Sequence, residues 1–104
     1  MKIYISGKIT GLEPEDAFNN FEQASTEVCH EYEPIHTMQK YRNIPGWGWK
    51  EYMVVSIELL LSCHAIYMLT NRKDSKGARI EHSIATEMGM VIEYQSFVDK
   101  GCGV

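Results

Sequence analysis

Apolar and polar positions along this chain follow two alternating rhythms. Lys2-Ile3-Tyr4-Ile5-Ser6-Gly7 is rich in β-formers and stops at a glycine, which predicts a first strand. After the loop Lys8 to Glu13, Pro14 suits a helix start, and Glu13, Glu15 and Asp16 suit its positive end. Phe18, Phe21, Ala24 and Val28 then recur at helical spacing, which places a first helix over 14–31. Glu33-Pro34-Ile35-His36-Thr37-Met38 predicts a short strand, and Pro34 suits a sheet edge. Residues 39–48 read as a loop rich in Tyr, Pro, Gly and Trp. Trp49 to Cys63 predicts a second helix with Tyr52, Met53, Ile57, Leu60 and Leu61 available for burial. The apolar run Ala65-Ile66-Tyr67-Met68-Leu69-Thr70 predicts a buried third strand. A polar loop carries the chain to a third amphipathic helix, Ala78 to Met88, which Gly89 ends. Met90 to Gln95 predicts a fourth strand, and Ser96 to Val104 shows no pattern.

Strands that alternate with helices imply a parallel sheet with crossover helices. The expected fold is a small α/β three-layer sheet, flavodoxin- or Rossmann-like, with strand order 2-1-3-4. Ligands of such sheets bind in the crevice at the carboxyl ends of the strands. The loops after the first and third strands would meet there, so Tyr4, Ser6, Gly7, Ser75, Gly77 and Glu81 are expected to line one pocket. Glu81 falls in the first turn of the predicted third helix, where the helix dipole favours a carboxylate. A charged Glu aimed at a crevice is a candidate nucleophile or base.

Composition narrows the field. The 104 residues suffice for one domain and one core. With 44% hydrophobic and 23% charged residues, the chain is ordinary for a globular protein. Formal net charge is −4, and the only basic clusters are Lys40-Tyr41-Arg42 and Arg72-Lys73. That balance argues against a nucleic-acid polymer or an anionic membrane as main partner. No apolar run approaches the roughly 20 residues of a membrane helix, and no signal peptide is visible. Cys29, Cys63 and Cys102 are odd in number and lack metal spacing, which suits a reduced, cytoplasmic setting. His30, His36 and His82 lack ligand spacing, so neither metal nor cofactor is expected.

Three segments in order carry a family resemblance: Lys2 to Gly11, Ser62-Cys63-His64 before the third strand, and Ser75-Lys76-Gly77-Ala78-Arg79-Ile80-Glu81 after it. Together they resemble the nucleoside 2-deoxyribosyltransferase superfamily, and within it the small DUF4406-type proteins. The resemblance covers Lys2 to about Tyr94. It implies that Glu81 attacks C1′ of a deoxyribose and expels the base, and that Tyr4 orients the carboxylate. It implies a small-molecule nucleoside or its 5′-monophosphate as partner, and a homodimer in which a second subunit helps complete the site. Transferases of the superfamily carry an Asp six residues before the nucleophile; Ser75 stands there, which is similar to the monophosphate hydrolases. The family's Asp before the third strand is replaced by His64, which could act as the general acid. Lys8 is the only cation between Ser6 and Glu13, so phosphate binding would rest on Lys8, hydroxyls and amides.

Plainer readings stand beside these. Glu81 could be a surface acid of a helix start, Tyr4 a core aromatic, Ser75 a helix cap, His64 a boundary residue and Asp74 a solvated loop charge. Trp47 and Trp49 could stack on a base or anchor a loop. Two functions of other classes therefore stay open: a nucleotide-binding module that lost catalysis, and a structural or interaction protein.

Overall fold

The computed structural model describes residues 1–96; Cys102 and most of the patternless tail lie outside the described residues. The order of elements is β1 (Lys2–Ser6), α1 (Pro14–Glu27), β2 (Glu33–Ile35), α2 (Trp49–Leu61), β3 (Ala65–Met68), α3 (Lys76–Glu87) and β4 (Val91–Tyr94). The four strands form one parallel sheet in the order β2-β1-β3-β4, as the alternation of patterns predicts. Tyr4 lies opposite Ile66 and Ser6 opposite Met68, so β1 and β3 end at the same sheet edge.

Side chains on successive strand residues point to opposite faces, and both faces here are covered. Ile3 and Ile5 of β1 and Ala65 and Tyr67 of β3 pack with Ala17, Phe21 and Ala24 of α1. Tyr4 of β1 and Ile66 and Met68 of β3 pack with Leu60 of α2 and Ala78 and Ala85 of α3. Helix α1 thus covers one face, and α2 and α3 the other. This second face carries Tyr4 and Ser6 toward α3.

Several boundaries differ from the sequence expectation, for local reasons. Helix α1 ends at Glu27 rather than at 31, because Val28 is extended. β2 stops at Ile35, and Thr37–Gln39 turn into a short 3-10 helix. β3 stops at Met68, and Thr70–Asp74 form another 3-10 turn. Helix α3 begins at Lys76, two residues before Ala78, because the Ser75 hydroxyl accepts the Ala78 N–H at 3.1 Å and caps the first turn.

Gly7 is required by close packing. A Cβ there would meet Leu69 Cδ1 at 2.5 Å and Cγ at 2.8 Å. Leu69 is itself fixed where its N–H bonds the Ser6 carbonyl at 2.8 Å. Gly7→Ala should therefore destabilise the protein by about 1–3 kcal/mol, the range of core overpacking. Urea denaturation checks this, and an unchanged midpoint would show that Leu69 yields freely.

Candidate active site

The site forms where β1 and β3 end and α3 begins. Its centre is Glu81, which is only 3% exposed. One carboxylate oxygen, Oε1, accepts the Ser6 hydroxyl at 2.6 Å; the other, Oε2, accepts the Tyr4 hydroxyl at 2.9 Å. Tyr4 lies within 3.1 Å of Thr37 Oγ1, which lies within 2.6 Å of Ser56 Oγ. All of these side chains are buried.

Counting protons gives this chain a direction. Tyr4 spends its proton on Glu81, so Thr37 must donate to Tyr4, and Ser56 to Thr37. With Ser6, four hydroxyl protons serve four hydrogen bonds, and an ionised Glu81 lets each be used once. Burial works against that charge. Desolvation raises the Glu81 pKa from 4.5 to about 7, against the lowering by Ser6 and then Tyr4. Tyr4 is pushed well above 10.0, first by burial and then by the Glu81 charge, so it remains a donor. A carboxyl group that titrates near neutrality, held by two hydroxyls at a crevice, has the properties of a nucleophile or base.

Glu81 does not sit in the first turn of its helix. With α3 starting at Lys76, it falls in the second turn, where the dipole has weakened. The Ser6 and Tyr4 hydroxyls, rather than the helix end, support its charge.

A cavity of about 280 Å³ opens over Glu81, near the low end for small-molecule sites. Tyr4, Gly7, Ser75, Gly77 and Glu81 line it, and Ser6 lies behind as a donor to Glu81. Ile9, Trp49, Met53 and Ala78 give it an apolar wall, and Thr10, Asp74 and Lys76 add polar groups. Gly77 lets the start of α3 approach α2, since a Cβ there would meet Met53 Sδ at 2.8 Å. Lys76, Gly77 and Ala78, the start of α3, lie in the same wall, where the positive end of the helix favours an anionic group.

Two candidates from the sequence are placed elsewhere. His64 lies at the amino end of β3, exposed, a full strand away from the edge that carries Glu81. Its N–H donates to the Lys2 carbonyl at 2.9 Å, and its Nδ1 accepts the Lys2 N–H at 3.1 Å. It clamps the start of β1 and is not brought to the cavity. Lys8 is absent from the cavity lining as well. Its N–H is tied to Asn71 Oδ1 at 3.0 Å, and its side chain runs beside Gly11. Among the described residues the cation in the lining is Lys76, whose Nζ stands 4.7 Å above the Trp49 ring.

Other sequence alternatives separate cleanly. Ser75 is a helix cap and also lines the cavity. Trp47 anchors its loop by stacking on Tyr41 and meeting Tyr52 edge-on, whereas Trp49 lines the cavity. His36 is buried between Phe21 and a 2.8 Å contact to Glu22, and burial lowers its pKa. Among the described residues no three His, Cys, Asp or Glu side chains cluster as metal ligands would. No helix among them is long and apolar enough to cross a membrane. Thr37 and Ser56 are the members of the site that sequence reasoning missed. Neither was singled out in the sequence, where each is one small hydroxyl residue beside apolar positions of a predicted element.

Residues 1–94 match a family described as a domain of unknown function (DUF4406). No curated protein and no solved structure matches the chain.

Proposed function

Because the chain belongs to the DUF4406 family, whose description carries no activity, we propose a function from the site itself: cleavage of the N-glycosidic bond of a 2′-deoxynucleoside or its 5′-monophosphate. The observation that carries this reading is the buried Glu81 carboxylate, held by Tyr4 and Ser6 at the floor of a ligand-sized cavity. The segments resembling nucleoside 2-deoxyribosyltransferases supply the class of substrate.

In the proposed reaction the ionised Glu81 attacks C1′ while the bond from C1′ to the base nitrogen breaks. The base leaves with that bond's electron pair and takes a proton from solvent. Tyr4 and Ser6 hold the carboxylate in line before attack. Water then adds to C1′ of the glycosyl ester, loses its proton to solvent and frees Glu81. Another base in place of water would make the same site a transferase. Trp49 and Met53 offer an apolar wall for the base, and the start of α3 with Lys76 offers positive charge for a 5′-phosphate. A homodimer belongs to the same proposal. Val54 and Leu61 on the outer face of α2, 67% and 51% exposed, give a second copy an apolar strip to cover. Sedimentation equilibrium reads the dimer directly, and a monomer at high concentration would remove it.

The test is incubation with a panel of deoxynucleosides and their monophosphates, followed by chromatography for free base. One observation favours a second reading, a nucleotide-binding module. His64 stands away from the cavity, so the general acid suggested by the resemblance is not at hand. Nucleotide affinity without base release would select that reading.

A further inference from the structure

Another side of α3 borders a second cavity, of about 450 Å³ against 280 Å³ for the crevice over Glu81. Arg72 and Lys73 reach it from the 3-10 turn after β3, Arg79 and His82 from α3, and Tyr94 from β4. Among the described residues no carboxylate lines it. This is notable in a chain with 14 acidic side chains against 10 Lys and Arg, three of which converge here. Among the described residues, no carboxylate oxygen lies within 4.0 Å of Arg72, Lys73 or Arg79.

Each of the two arginines is tethered to the backbone by one hydrogen bond. Arg79 donates through Nη1 to the Lys73 carbonyl at 2.7 Å, and Arg72 through Nη1 to the Leu69 carbonyl at 3.1 Å. The Arg72 guanidinium lies 4.8 Å over the Tyr94 ring, and the Tyr94 hydroxyl is held at 2.8 Å from His82 Nε2. A guanidinium has five N–H donors, and each of these spends one on a carbonyl. The others are left for a ligand, on side chains whose guanidinium groups are already tethered beside the cavity. Arginines tethered at a cavity with no carboxylate partner among the described residues form a receptor for an anion with several oxygens.

We propose that this cavity binds a small organic phosphate with at least two negative charges, such as a pyrophosphate-bearing ligand. Its recess between α3 and β4 suits a compact ligand, whereas a polymer would need a basic stripe across a surface that is acidic on balance. The site is independent of the chemistry assigned to Glu81.

Titration calorimetry of the full chain with inorganic pyrophosphate and with inorganic phosphate, at low salt, tests this. Pyrophosphate should bind with a Kd below about 1 mM and about tenfold more tightly than phosphate. Arg72→Gln and Arg79→Gln should each weaken pyrophosphate about tenfold, the size of one charge-assisted hydrogen bond, with thermal midpoints unchanged. If either arginine variant fails to fold, Lys73→Gln, whose side chain makes no hydrogen bond or ion pair among the described residues, should still weaken binding. Any base release at the crevice should persist in Arg79→Gln. Pyrophosphate affinity that is absent in the natural protein, or unchanged in all three variants, overturns the proposal. So does a single-stranded oligonucleotide that binds more tightly than pyrophosphate through the same arginines.

Discussion

Glu81→Gln should abolish base release, by about a thousandfold or more, in a protein that still folds and still binds nucleotide. The carboxamide keeps the shape of the carboxylate but is not a nucleophile. The surrounding hydroxyls can rotate to accept its N–H, so the cavity keeps its form. Free base is measured by chromatography and affinity by calorimetry. The pH profile gives an independent check. Only the ionised form attacks, and Glu81 titrates at about 7, so the rate should climb as pH rises through 7. Tyr4→Phe removes a hydrogen bond that lowers this pKa, so the rising limb should move to higher pH. Undiminished base release in Glu81→Gln would remove the nucleophile from the mechanism.

The second large effect is on stability. Glu81 holds its proton up to about 7 in the folded protein but only to about 4.5 when unfolded. Between these values the native state binds more protons, so its stability falls as pH rises across that window and levels off above it. At 1.36 kcal/mol per pKa unit, the loss is on the order of 3 kcal/mol. His36 acts in the opposite sense. Its pKa is lowered by burial, so its contribution is lost as pH falls below its ordinary 6.5. The difference between Glu81→Gln and the natural protein isolates the carboxyl group. The variant should gain in relative stability from pH 4.5 to pH 8, by on the order of 2–3 kcal/mol. Urea denaturation at a series of pH values reads this directly. A difference that stays constant with pH would show that Glu81 is ionised throughout in the folded state.

Much of this architecture is legible in the chain because it depends on local pattern. The period of Ile3, Ile5, Ala65 and Tyr67 fixes which strand faces meet α1, and that of Phe21 and Ala24 fixes which face of α1 meets them. Once β1 and β3 run parallel, the ends of Tyr4-Ile5-Ser6 and of the third strand must share an edge with the start of α3. Glu81 was therefore readable as a crevice residue from the order of elements alone. Its environment was not. Thr37 and Ser56 are 33 and 19 residues from the groups they bond, and no periodicity reports a hydrogen bond across such separations. Lys8 gave way to Lys76 in the lining: the Lys8 N–H is tied to Asn71, its side chain lies beside Gly11, and only the packing of the loops decides this. His64 sits one residue before a strand whose other end carries the chemistry, and sequence adjacency could not say which end mattered. The helix start moved because Ser75 capped it, taking Glu81 out of the first turn. Local pattern determined the elements, their faces and the edge where a site would form. Tertiary packing alone decided the charge on Glu81, because its burial and the β1 hydroxyls that oppose it arise only when α3 packs against the sheet, with Thr37 and Ser56 brought behind Tyr4 from two further elements.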